Sequence, residues 1–127
     1  MKLIIGGAFQ GKQTFAKQKF AIADGWVDGA VCSEEDLLTC RGISHFHEFI
    51  GRLVSEGADV WAVVQKLLAE NPDVIVVTNE LGYGVVPVTA FDRQYRETTG
   101  RVCTRLAAAA DEVYRVVCGI GQVIKGA

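Results

Sequence analysis

Residues 1–17, MKLIIGGAFQGKQTFAK, decide how the fold is read. Leu3, Ile4 and Ile5 form a short apolar run that predicts a buried strand, and the run breaks at Gly6-Gly7. The spacing Gly6-x-x-x-x-Gly11-Lys12, followed by a helix-compatible run, is that of a phosphate-binding loop between a strand and a helix. Each residue type has a reason to be there. Glycines let backbone N–H groups curl around a phosphate with no Cβ in the way. The helix N-terminus adds unpaired N–H groups and a positive dipole end, and Lys12 supplies a mobile cation for the outer phosphates. Gly6, Gly7, Ala8, Phe9, Gln10, Gly11, Lys12, Gln13 and Thr14 are therefore the candidate nucleotide-binding residues. One position departs from the pattern. A Ser or Thr should follow the lysine and hold Mg²⁺ through its hydroxyl; Gln13 stands there, and Thr14 comes one residue late. An ordinary glycine turn is the alternative reading of the same residues.

Composition narrows the class. The chain has 127 residues, half of them apolar, and a net charge of −2, which predicts one compact nucleotide-binding domain over residues 1–127 and no nucleic-acid surface. No apolar run is long enough for a membrane span, and the stretch at Leu3 is too short for a signal peptide. Cys32, Cys40, Cys103 and Cys118 show neither a C-x-x-C pair nor zinc spacing, so reduced thiols in a cytoplasmic protein are expected.

Beyond the loop, a helix is predicted over residues 14–23, ended by Gly25, with Phe15, Phe20 and Ile22 inward and Lys12, Lys17 and Lys19 in water. Gly29-Ala30-Val31-Cys32 is a strand candidate, and Ser33-Glu34-Glu35-Asp36 reads as a helix start or an acidic loop. Arg41-Gly42 looks like a turn; after it Ile43, Phe46, Phe49 or Ile50, and Leu53 recur at helical spacing. His45 and His47, two apart on such a helix, would point about 200° from each other, which excludes one shared metal and makes them exposed or capping residues. A further helix is expected over residues 58–70, with Val60, Trp61, Val64, Leu67 and Leu68 on its inner side and Asn71-Pro72 as its stop.

Val74-Ile75-Val76-Val77 has no alternation, as expected of a central parallel strand covered on both faces. Ligands collect beyond the carboxyl ends of such strands, which puts Glu80 on the rim with the glycine loop if the two strands are neighbours. There its carboxylate could hold a Mg²⁺-bound water or take a proton from a substrate hydroxyl; a solvated strand-end Glu is the alternative. Gly82 and Gly84 suggest close backbone approach. Residues 89–110 read as a long helix interrupted by Gly100, carrying Arg93 with Arg96 and Arg101 with Arg105 on shared faces, either phosphate clamps or surface charges. Residues 113–118 predict a strand and residues 122–125 a short edge strand.

The runs VVTNELGYGVVP (residues 76–87) and YRETTGRVCTRLAAAADEVYRVVCGIGQVIK (residues 95–125), with the opening strand and glycine loop, resemble the adenosylcobinamide kinase/adenosylcobinamide-phosphate guanylyltransferase (CobU) family. The resemblance implies a small RecA-like P-loop α/β domain with a mostly parallel sheet flanked by helices. It implies GTP or ATP as nucleotide, a corrinoid acceptor, and phosphoryl or GMP transfer to cobinamide in cobalamin biosynthesis or salvage. Gly6, Gly7, Gly11 and Lys12 match the family's nucleotide loop; Thr78, Asn79 and Glu80 match its strand-end motif, and Arg101 and Arg105 its helical arginines. Lys12 and Glu80 are the implied catalytic residues, with Asn79, Arg101 and Arg105 toward phosphate or substrate. Gln13 departs from the family's loop serine, so only a weak Mg²⁺ contribution is expected. The centre of the chain is much shorter than in full-length members. The segment that carries their guanylylated histidine has no counterpart around His45 and His47, so a GMP–histidine is expected at neither. A catalytically degenerate nucleotide-binding or regulatory derivative is the alternative, and self-association is left open.

Overall fold

The computed structural model describes residues 1–81 and 89–126. In chain order they form β1 (Lys2–Gly6), α1 (Lys12–Phe20), β2 (Trp26–Asp28), α2 (Glu34–Thr39), β3 (Gly42–Ser44), α3 (Phe46–Ser55), α4 (Val60–Glu70), β4 (Ile75–Asn79), α5 (Ala90–Ala109), β5 (Glu112–Val117) and β6 (Ile120–Lys125). The strands make one six-stranded sheet in the order β2-β3-β4-β1-β5-β6, parallel except for β6. This is the α/β architecture expected of a small P-loop domain.

The unbroken apolar runs follow from this topology. Leu3 and Val76 pack against Leu37, Phe46, Ile50, Leu67 and Leu106 from α2 to α5 on one face. Ile4, Ile75 and Val77 face Ala16 of α1, with Tyr114 and Val116, on the other. A strand buried on both sides has no polar face to alternate with. Register sets the functional end: Gly6 lies opposite Asn79, so the segments leaving β1 and β4 emerge side by side. From there α1 carries the chain toward β2 and α5 toward β5, in opposite directions along the sheet. Such a reversal opens a crevice at the carboxyl ends of the strands.

Several local expectations are corrected. α1 ends at Phe20, well before Gly25, because Ala21 takes a left-handed conformation and its N–H bonds to Lys17. The second strand is Trp26–Asp28 and not residues 29–32. There the Asp28 carbonyl accepts from Val31 and Cys32, and its carboxylate from Ala30, closing a turn. Gly42 belongs to β3, not to a turn; a Cβ there would lie 2.6 Å from the Trp26 ring, so the missing side chain lets the indole lie over the strand. On α4 the inner face is completed by Val63, while Trp61 is 43% exposed. Gly100 does not interrupt α5, which runs through it.

Candidate functional site

The glycine loop is shaped by backbone that few side chains tolerate. Phe9 (φ 59°) and Gly11 (φ 79°) are left-handed, and Gly11 is the N-cap of α1. A Cβ on Gly6 would meet the Val116 carbonyl oxygen at 2.6 Å, so only glycine lets the loop leave β1 this close to β5. Gln10 ties the loop down at long range. Its side-chain oxygen accepts from the Cys118 N–H (2.7 Å), and its carbonyl accepts from the Gly119 N–H (2.8 Å). The β5–β6 turn thus braces the loop from behind.

Lys12 is not in water as the sequence suggested. It is only 8% exposed, and its Nζ donates to the Gly7 carbonyl at 2.6 Å, folding the ammonium back over the loop. Burial lowers its pKa, an effect that the nearby Glu80 carboxylate opposes. Glu80 follows the last residue of β4; its N–H donates to Gly6, and its carboxylate accepts from Arg115 Nε at 3.0 Å. The parallel β1–β4 pairing therefore brings Lys12 and Glu80 together at one end of the sheet.

In front of the loop opens a cleft of about 360 Å³, lined by residues 8–14, by Val77 and Asn79 of β4, and by Ser44, His45, His47 and Glu48 from the β3–α3 junction. Gln13 and Thr14 both reach it, from the first turn of α1. Arg101 and Arg105 do not: they are exposed on α5, and Arg101 pairs with Glu97. Gly82 and Gly84 lie outside the described residues.

His45 is exposed, as the sequence reading has it, and His47 is not. His45 is not on the helix but at its N-cap, left-handed at φ 53°, which resets the angular phase between the two side chains. Their rings come edge to face, 6.0 Å between centroids. His47 is 7% exposed, neither solvated nor capping. Its Nδ1 accepts the Asn79 N–H (3.1 Å), which leaves the proton on Nε2, and Tyr95 donates to its carbonyl (2.7 Å). Burial first, then His45 and Lys12, push its pKa down to about 4, so the ring is neutral at pH 7. No periodic signal marks His47, because its burial depends on β3 and β4 being neighbours.

Oxygen donors for a cation are few around the loop, where Gln13 offers an amide in place of a hydroxyl. At the far rim, ligand atoms of Asp28, His45 and Glu48 lie within 4.8 Å of one another. Asp28 and His45 already pair at 3.0 Å, and the Ala30 N–H, then His45, holds the Asp28 carboxyl below its usual range. Two carboxylates and an imidazole suit Mn²⁺ or Zn²⁺ better than Mg²⁺, which prefers oxygen ligands in strict octahedral geometry. Among the described residues no helix is long and apolar enough to cross a membrane.

Comparison with known proteins bears on this arrangement. The bifunctional adenosylcobalamin biosynthesis protein CobU of Salmonella typhimurium is 58% identical over 52 residues, 41% of this chain and 29% of that protein. Its Escherichia coli counterpart is 54% identical over 68 residues, 50% of this chain and 38% of that protein. The chain thus matches well under half the length of either relative. The profile of the family described as cobinamide kinase / cobinamide phosphate guanyltransferase matches residues 33–124, a range that begins after the glycine loop and takes in most of the chain. On that match, and with a sheet whose strand ends carry the motif TNE, the chain belongs to the cobinamide kinase / cobinamide phosphate guanyltransferase (CobU) family.

Proposed function

We propose that residues 1–127 form one nucleotide-binding domain of a cytoplasmic enzyme of cobalamin assembly or corrinoid salvage. It binds GTP or ATP in the cleft and transfers the terminal phosphoryl group to cobinamide. The observation that carries this reading is the buried Lys12 side chain, its ammonium folded onto the Gly7 carbonyl inside a loop with left-handed residues at Phe9 and Gly11. Family membership supports the acceptor, and the names of the two relatives support the pathway.

The chemistry follows from the placement. A phosphate entering the loop meets the N–H groups of the first turn of α1, which no side chain caps among the described residues. Lys12 exchanges the Gly7 carbonyl for a phosphate oxygen, and the anion offsets the burial that lowers its pKa. Glu80, steadied by Arg115, accepts the proton of the acceptor hydroxyl as its oxygen attacks the γ-phosphorus. Mg²⁺ contributes weakly, because Gln13 does not reproduce the hydroxyl that would hold it. Transfer of GMP is left outside the proposal, since the chain has no counterpart to the segment that serves it.

Isothermal titration with GTP and with ATP tests the reading. Lys12→Ala removes a charge-assisted contact of about 1.5–3 kcal/mol, so affinity should fall at least about tenfold. Unchanged affinity in that variant removes the site assignment.

A further inference from the structure

The far rim of the cleft carries a set of donor groups that the nucleotide reading does not use. Asp28 ends β2, His45 follows β3 as the N-cap of α3, and Glu48 stands in the first turn of that helix. β2 and β3 run parallel with Asp28 opposite Ser44, so the two strand ends deliver Asp28 and His45 side by side. The approach is close: Gly29 donates to the Ser44 carbonyl (2.7 Å), and a Cβ on Gly29 would collide with the His45 carbonyl. All three side chains are exposed, and His45 and Glu48 line the cleft.

Their donor atoms are spaced for an ion. One atom from each lies within 4.8 Å of the other two, and Asp28 Oδ1 is 3.0 Å from His45 Nδ1. With metal–ligand bonds of about 2.1 Å, adjacent ligands of an octahedral ion are about 3.0 Å apart. Asp28 and His45 already have that spacing, and rotation of the exposed Glu48 side chain closes the remaining gap. Charge points the same way. Glu80, Glu97 and Glu112 each pair with an arginine or lysine. Among the described residues Asp28 pairs only with the His45 imidazole, and Glu48 with no cation. The positive end of α3 supplies about half a unit charge there, against two carboxylates.

His47 gives a second, independent sign of a ligand. It is more than nine-tenths buried, lines the same cleft, and its ring lies 6.0 Å from that of His45. Asn79 donates to its Nδ1, so Nε2 carries the proton, and Nε2 has no hydrogen-bond partner among the described residues. Thr99 Oγ1 is the only unpartnered side-chain polar atom there that is sealed from solvent, so His47 Nε2 opens on the cleft. An oxygen carried by an ion at the rim, from water or from a phosphate, is an acceptor for this N–H.

We infer that Asp28, His45 and Glu48 form a site for a divalent transition metal, Mn²⁺ by its donor set, at the rim of the cleft. The imidazole selects against Mg²⁺ and Ca²⁺, which take oxygen, and the surplus of carboxylate favours Mn²⁺ over softer ions. Three protein ligands leave positions for water or a phosphate oxygen. The ion puts a positive centre on a cleft whose loop has Gln13 where a hydroxyl would hold Mg²⁺. The site stands whether or not the cleft takes a nucleotide.

Mn²⁺ titrated into the whole chain without nucleotide tests it, the EPR signal of the free aqueous ion reporting what stays unbound. Mn²⁺ also avoids the free cysteines, which Zn²⁺ would seek. One ion per chain should bind, with Mg²⁺ competing at least about tenfold more weakly. Three variants spare the fold: Glu48→Gln, Asp28→Asn, which keeps an oxygen for the Ala30 N–H, and His45→Gly, which suits a φ of 53°. Each should weaken Mn²⁺ binding about tenfold or more. In NMR of the natural chain, Mn²⁺ should broaden the Asp28, His45 and Glu48 amides first. No saturable binding, equal affinity for Mg²⁺, unchanged affinity in any of the three variants, or broadening centred elsewhere overturns the site.

Discussion

The five helices among the described residues begin in two different ways. α2, α4 and α5 are closed by side chains. Ser33 Oγ accepts from the Asp36 N–H (3.0 Å) while Asp36 accepts from Ser33 (3.1 Å), Asp59 accepts from Ala62 (3.1 Å), and Thr89 from Asp92 (2.9 Å). α1 and α3 begin instead at left-handed residues, Gly11 and His45, with no side-chain cap. Both of these starts border the cleft, and none of the three capped ones does. A cap satisfies N–H groups that a ligand would otherwise need, so its absence at the cleft keeps them available to an anion. Where the helix start has only a structural task, the cap is present and contributes about 1 kcal/mol.

The comparison breaks most visibly at Gly11. Alanine there must adopt φ 79°, at a cost of about 1–2 kcal/mol, and its Cβ would sit 3.4 Å from Gly119. Gly11→Ala should therefore lower the unfolding midpoint in urea and weaken GTP or ATP binding about tenfold or more. A fully stable variant with unchanged affinity would mean that the loop does not need this backbone.

At α3 the expected effect is a pH dependence. His47 is neutral when folded, with a pKa pushed from 6.5 to about 4, whereas the unfolded chain takes up a proton near 6.5. Between those values the unfolded state binds more protons, so this contribution to stability is whole above about pH 6.5 and is lost as pH falls toward 4. His45 and Lys12 face the same ring and act in the same direction. Urea unfolding across pH 4–7 should show this slope, and His47→Gln should flatten it. An unchanged slope in the variant would place the proton uptake elsewhere.

Smaller still is the effect of Ser33→Ala at a capped start. It removes a capping box outside the cleft's lining and should cost about 1 kcal/mol, within a range of about 0.5–2, in chemical unfolding. Nucleotide affinity should not change. A loss of affinity there would erase the distinction between the two kinds of helix start.

The sequence showed part of this and hid part of it, for identifiable reasons. Val74-Ile75-Val76-Val77 reads as a central strand because burial on both faces removes alternation, and the strand-end rule then brings Glu80 toward Lys12. The Ser33–Asp36 capping box is legible because all its partners are local. The other side of the cleft is not. β3 has three residues, too few for a period, and its glycine resembles a turn until Trp26 is seen lying over it. The left-handed turn at His45 resets the helical phase, so counting from it misplaces His47. Gln10 and Cys118 meet across 108 positions, which no local pattern reports.

The last prediction concerns the one loop residue at odds with its neighbours. In a loop of this spacing the side chain after the lysine is short and holds Mg²⁺ through a hydroxyl between the β- and γ-phosphates. Gln13 occupies that place on the first turn of α1 and reaches into the cleft. Its amide oxygen can ligate Mg²⁺, but the longer side chain must displace the ion or fold back, and Mg²⁺ tolerates poor octahedral geometry badly. Thr14 does not substitute, because one step along a helix turns the side chain by about 100°. Nucleotide affinity in the natural chain should therefore change little, within about threefold, when Mg²⁺ is replaced by EDTA. Gln13→Ser should restore Mg²⁺-dependent binding by about three- to tenfold and leave affinity in EDTA unaltered. It should also raise the rate of phosphoryl transfer to cobinamide. If the natural chain already turns over at about 1–100 per second with Mg²⁺ and Gln13→Ser slows it, then the amide is a working ligand.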